Sequence, residues 1–131
     1  MTEPFSIAKP STSLWRLTFL NPPINTLDPD TIRELQALIE QMEADNAPNV
    51  VVSESADPEF FIAHYDMSRA AETPVTPGPN GLPPWVDFTT RMAACSVITI
   101  ASVRDRARGV GNEFLLACDM RFASLERAVF G

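Results

Sequence analysis

The sequence predicts an α/β fold in which buried strands alternate with amphipathic helices. Three observations carry that prediction. Between Thr31 and Asp45 the apolar residues Ile32, Leu35, Leu38, Ile39 and Met42 recur at three- and four-residue spacing, which makes one buried stripe along a helix. The run NVVVSE that follows is short, apolar and β-branched, as a strand buried on both faces of a parallel sheet reads. Later, Trp85, Phe88, Met92 and Cys95 fall at helical spacing just ahead of SVITIASV, a second run of buried-strand character.

The elements follow in order. SLWRLTFL, with Leu14 to Leu20, alternates enough to read as a strand, although Trp15 breaks a strict period of two. NPPINTLDPD then supplies turn chemistry, and Asp28 before Pro29 makes an N-cap and a first helical residue. After the helix and NVVVSE comes TPVTPGPNGLPP, Thr73 to Pro84, too rich in proline and glycine for a regular element. Both flanks are too short to be separate domains, so this is a surface loop rather than a linker, and it is expected to lack backbone hydrogen bonds and to be mobile. A helix from about Gly111 to Cys118 and a strand at MRFAS complete the chain. No internal sequence repeat is visible, yet strand and helix units recur.

Composition narrows the function. With 131 residues, 45% hydrophobic and 21% charged, the chain has the makings of one globular domain and is not collagen-like, disordered or disulfide-rich. A formal charge of −7, from 17 acidic against 10 basic groups, argues against a nucleic-acid partner, because a phosphate backbone is held by clustered Lys and Arg. A small-molecule partner fits better. Cys95 and Cys118 form no disulfide framework, MTEPFSIAKP has neither a basic nor an apolar leader region, and no apolar run approaches the ~20 residues of a membrane span. These features point to a cytoplasmic protein with free thiols and no membrane partner.

The stretch RARGVGNEFLLACDMRF, Arg106 to Phe122, carries the chemistry. Gly109 and Gly111 let a loop bring its N–H groups close to a ligand, and the helix that follows aims its positive end at the same spot. This reads as an anion or oxyanion site with Glu113 one step inside it. The bland alternative for Glu113 is a carboxylate placed in the first helical turn for its electrostatics alone. A dinucleotide-binding loop is disfavoured, since no third glycine follows Gly109 and Gly111 at the required spacing.

NPPINTL at Asn21 to Leu27, FFIAHYDM at Phe60 to Met67 and RGVGNEFLLACDMRFAS at Arg108 to Ser124 resemble, in order and spacing, the three signature regions of the enoyl-CoA hydratase/isomerase (crotonase) superfamily. The resemblance covers nearly the whole chain and implies a crotonase-like spiral of ββα units. It implies that residues 1–131 are a single such domain, incomplete at its C-terminus, because in hydratases a second glutamate follows the segment that is Phe130-Gly131 here. It implies an acyl-CoA thioester as substrate, no permanently bound cofactor beyond the coenzyme A of that substrate, and a homo-oligomer, a trimer or hexamer.

Carried over by position, the resemblance makes the N–H groups of Tyr65 and Val110 the two oxyanion donors and Glu113 the acid/base. Ala63, His64, Asp66, Gly109 and Gly111 become the substrate-binding surroundings. His64 stands where the family usually has glycine; its imidazole could act as a general base or merely hydrogen-bond within the loop. Val110 replaces the middle glycine of the family's Gly-Gly-Gly, and a valine whose backbone were strained there would be relaxed by glycine. Arg104-Asp105 replaces the family's Asn-Gly turn. Asp66 reads either as part of the oxyanion segment or as an N-cap of DMSRAAE. Arg104, Arg106 and Arg108 alternate, and could meet coenzyme A phosphates or line a solvated edge or subunit contact. Cys118 and Asp119 read as packing for the helix end.

The leading function is hydration or isomerisation of an enoyl-CoA through an oxyanion hole. The other reading is a non-catalytic acyl-CoA-binding or scaffold protein of the same fold. In either case the apolar helix from Phe114 to Cys118 and the strand after it, which later segments cover in the family, are expected to expose apolar surface.

Overall fold

The structure, a computed structural model, describes residues 3–131. A five-stranded sheet runs in the order β1-β2-β3-β5-β7, with β1 Phe5–Ala8, β2 Leu14–Phe19, β3 Val50–Ser55, β5 Ile98–Val103 and β7 Met120–Ala123. Only β1 is antiparallel to its neighbour. A smaller sheet of three parallel strands has the order β4-β6-β8, with β4 Phe60–Ile62, β6 Arg106–Ala107 and β8 Val129–Phe130. Helices α1 Pro29–Glu43, α2 Pro84–Ala94 and α3 Val110–Ala117 connect the strands. The chain therefore lays a long strand in the large sheet, a short strand in the small one and then a helix: β3-β4-α2, then β5-β6-α3, then β7-β8. This is the ββα spiral that the sequence resemblance implies. The short strands were not visible in the sequence, because two or three residues carry no periodicity.

Local chemistry explains the elements. Asp28 caps α1: its carboxylate accepts from Thr31 N–H at 2.8 Å, and Pro29 takes the first helical position, where its missing N–H costs nothing. All five residues of the predicted stripe of α1 are buried. In β2 the buried residues are Trp15, Leu17 and Phe19, so Trp15 belongs to the period of two and Leu14 lies outside it. β3 is parallel to both its neighbours, but it is not sealed on both faces: Val51 and Ser53 are buried, while Val50 and Val52 are only half-buried. β7 is exposed along its whole length.

The core is one cluster, with aromatic rings at its centre. Phe114 of α3 meets Phe19 edge-on at 5.3 Å between ring centroids and stacks on Phe88 of α2 at 6.2 Å. The inner face of α3 is thus covered by the chain itself, contrary to the expectation that it would be exposed. The expectation holds for the outer face of α3 and for the segment beyond the helix: Leu116 on that face and Phe122 and Leu125 after it are exposed by 67%, 60% and 94%.

The loop from Thr73 to Pro84 is also better held than its composition suggests. Gly78 N–H donates to Leu82 O and Gly81 N–H to Gly78 O, both at 2.9 Å, and Asn80 N–H donates to the Asp87 carboxylate at 3.2 Å. Asp87 is fully buried, and Arg91 links it at 3.0 Å to Glu43 at the end of α1. A side chain at Gly78 would collide with that carboxylate, at 2.3 Å from an added Cβ. Pairing and hydrogen bonds on every side are what make a buried carboxylate tolerable. Among the described residues, no helix is long and apolar enough to cross a membrane.

The residue that joins these parts is Asn25, in a positive-φ conformation (φ 56°) and 2% exposed. Its side-chain N–H groups donate to Phe19 O, Ser55 Oγ and Phe61 O, at the ends of β2 and β3 and within β4, while its Oδ1 accepts from Asn21 N–H at 2.7 Å. Asn25→Gly keeps the backbone conformation and orphans these buried groups, so it should lower stability by about 2–4 kcal/mol in urea unfolding. Asn25→Ala adds the left-handed backbone penalty and should lose about 1 kcal/mol more.

Candidate active site

Both loops of interest leave neighbouring strands of the small sheet at the same end. β4 and β6 are parallel, with Ile62 opposite Ala107. Tyr65 lies three residues beyond Ile62, and Val110 three residues beyond Ala107. The sequence resemblance pairs the same two residues.

The backbone bonds of the second loop single out one amide. Arg108 N–H donates to Ile62 O at 3.1 Å, Gly109 N–H to Gly131 O at 2.8 Å and Gly111 N–H back to Arg108 O at 2.9 Å. Val110 is the first residue of α3, so its N–H has no intrahelical acceptor and lies at the positive end of the helix dipole. Gly109 sits at φ 53°, ψ −123°, a region essentially reserved for glycine. Gly111 is needed for a different reason: an added Cβ would lie 2.7 Å from Ile62 O and 2.8 Å from its Cβ, so only glycine lets α3 start against β4. Val110 itself has no positive φ, and no strain is left for a glycine there to relax.

The first loop is ordered by Leu27. Leu27 N–H donates to His64 O at 2.9 Å, and Asp66 N–H donates to Leu27 O at 2.8 Å. This parallel bridge turns the intervening N–H of Tyr65 to the opposite side, and it has no backbone acceptor among the described residues. Ala63 is buried, with its N–H on Asn25 O at 3.2 Å. Asp66 caps a short 3₁₀ helix, Met67–Glu72, accepting from Ser68 N–H at 3.0 Å, which matches the capping reading. His64 is exposed, and its Nδ1 lies 2.7 Å from Tyr65 O. A carbonyl can only accept, so Nδ1 is the donor in this contact.

Glu113 is exposed, in the first turn of α3. Its Oε1 accepts from the indole Nε1–H of Trp85 at 2.8 Å. This partner was missed in the sequence, where Trp85 shares a helical face with Phe88 and Met92 and reads as core. The only signal available was the indole itself, which needs an acceptor when half-buried. Glu113 borders an open groove between α2 and α3, with Thr89, Ala93, Leu116 and Ala117.

The remaining singled-out residues lie elsewhere or serve packing. Arg104 lines a polar pocket at the ends of β3 and β5 with Glu54, Asp105 and Arg127, whereas Arg106 lies over the Phe60 ring. At the Arg104-Asp105 turn Asp105 is buried and paired with Arg127 at 2.9 Å. The Asp119 carboxylate accepts from Thr99 N–H at 2.9 Å, tying the end of α3 to β5. Burial pushes the Cys118 thiol up to about 12, which keeps it protonated and unreactive at neutral pH. Among the described residues no group of three or more His, Cys, Asp or Glu is placed to hold a metal.

With this geometry in place, comparison with known proteins is decisive at one level. Residues 9–131 match the enoyl-CoA hydratase/isomerase family. The chain belongs to that family. Over 111 residues it is 32% identical to "Probable enoyl-CoA hydratase 2, mitochondrial" of Arabidopsis thaliana, covering 82% of this chain and 35% of that protein. It is 30% identical over 108 residues to the short-chain-enoyl-CoA hydratase of Clostridium acetobutylicum, covering 82% of this chain and 41% of that one. A crystal structure from Streptomyces avermitilis, named as a candidate enoyl-CoA hydratase, superposes with a TM-score of 0.88 at 40% identity, over 98% of this chain and 47% of that one. The chain thus spans less than half the length of each of these relatives.

In this family member the fit of α3 against β4 is testable without any substrate. Gly111→Ala must push α3 from Ile62, and an overpacked contact of this kind costs about 1–3 kcal/mol. Thermal unfolding should show that loss, while Gly81→Ala, where an added Cβ meets nothing within 4 Å, should pay only for its positive φ of 76°.

Proposed function

We propose that the protein carrying this chain hydrates or isomerises an enoyl-CoA thioester, with Tyr65 and Val110 as oxyanion donors and Glu113 as acid/base. The observation that supports the reading is the register of β4 and β6: Ile62 lies opposite Ala107, Tyr65 and Val110 each follow three residues later, and neither amide has a backbone acceptor among the described residues. A thioester carbonyl oxygen accepting from both N–H groups gains negative charge as the adjacent carbons become an enolate. Donors already in position stabilise that charge without reorganisation, each worth about 3–4 kcal/mol in the transition state. Glu113, one turn into α3, is then placed to transfer a proton at the carbon next to the carbonyl or to move it along the chain. Hydration also requires a base to activate water, whereas a double-bond shift can proceed with fewer groups.

This chemistry needs no metal or redox group, because the charge that develops on the thioester oxygen is stabilised by hydrogen bonds from backbone amides. The exposed Leu116, Phe122 and Leu125 leave apolar surface for later segments of the protein or a second copy of it to cover, and the homo-oligomer rests on the family resemblance.

The test follows the loss of conjugated-thioester absorbance of a short enoyl-CoA, together with product analysis. Val110→Pro removes the donor and should lower turnover by about 10²–10³, with folding checked by circular dichroism. Val110→Gly should stay close to the parent, since Val110 is not strained. Glu113→Gln should lower turnover by about 10²–10⁴, to a measurable residual rate. A folded Val110→Pro protein turning over at the parent rate would remove Val110 from the site, and tight acyl-CoA binding without turnover in the parent would favour the non-catalytic reading.

A further inference from the structure

We propose that Trp85 is a positioning residue for Glu113, an inference that rests on the assignment of Glu113 as acid/base. The indole is a donor with no acceptor capacity, and its Nε1–H meets Glu113 Oε1 at 2.8 Å. Glu113 lies on the exposed side of α3, and a glutamate there has three side-chain torsions to explore. One charge-assisted bond from a fixed donor selects among those conformers.

The donor is fixed because its ring is. Trp85 stacks on Phe88 at 5.7 Å with 30° between planes, and Phe88 stacks on Phe114 at 6.2 Å with 13° between planes. Phe114 follows Glu113 in α3, so the ring column and the hydrogen bond close a loop between the two helices. The start of α2 is fixed again from beneath, where buried Asp87 pairs with Arg91 and receives Asn80 N–H from the preceding loop. That loop is tied to the site at its other end as well: the Tyr65 hydroxyl and Thr73 Oγ1 lie 2.6 Å apart. Thr73 to Pro84 therefore runs from the side chain of one proposed oxyanion residue to the partner of the proposed acid/base.

A double-mutant cycle on turnover tests this. Trp85→Phe keeps a ring in the stack and removes only the N–H. In the parent background it should lower kcat by about ten- to a hundredfold, the scale on which misplacement of a reacting group acts, with KM changed less than about twofold. On the Glu113→Gln background, Trp85→Phe should have no further effect on kcat, because the group it positions has already lost its chemistry. Parent-like kcat for Trp85→Phe, or equal losses in both backgrounds, overturns the proposal while leaving Glu113 in place. Parent-like turnover for Glu113→Gln overturns the acid/base assignment and this inference with it.

Discussion

The pairing of two short parallel strands is the constraint on which the candidate site depends. β4 and β6 contribute few residues, but Ile62 opposite Ala107 fixes how far each following loop has travelled when it turns. A slip of one residue would reverse the face on which the next amide points. The slip is blocked sterically, because α3 starts with Gly111 against Ile62, and electrostatically, because Arg108 N–H already uses Ile62 O. Gly131 O takes the N–H of Gly109 from the other side, so β8 completes the clamp.

Asn25 extends the same logic to the first loop. Its buried amide joins the ends of β2 and β3 to β4, and its carbonyl accepts from Ala63, two residues before Tyr65. Each of these backbone groups would be costly to bury unpaired, so a single side chain satisfies several obligations that the crossing of two sheets creates. Buried Asp87 and Arg91, with Arg91 reaching out to exposed Glu43, do comparable work beneath the proline-rich loop. In both places a polar side chain stands where regular backbone pairing ends.

Sequence reasoning reached the long elements because their signals are periodic: the stripe of α1, the run of β3 and the cap at Asp28 each have many residues or a specific chemistry behind them. It also reached Gly109 and Gly111, and the structure separates their reasons, a positive φ at one and a close approach at the other. The edge strand β1, Phe5–Ala8, went unpredicted, and three further things were out of reach. The strands β4, β6 and β8 are too short to show alternation, so the second sheet was invisible. The role of Asn25 is non-local, since its partners lie up to 36 residues away. Trp85 was concealed by belonging to two patterns at once, as its ring packs on a buried face while its N–H reaches Glu113. The expectation that the loop lacks backbone hydrogen bonds failed for a related reason: its anchor, Asp87, reads in sequence as an ordinary helix-surface carboxylate and is fully buried.

The central claim is that two separate loops present their amides to one carbonyl oxygen, and amide NMR reads this at the atoms concerned. The protein would be titrated with a saturated acyl-CoA thioester and, separately, with the matching thioether, which has the same chain and coenzyme A but no carbonyl. The account predicts that the Tyr65 and Val110 amide protons both move downfield with the thioester, along one shared binding curve, and that both stay near their free positions with the thioether. Equal shifts with the two ligands, or movement of only one of the two amides, would contradict it.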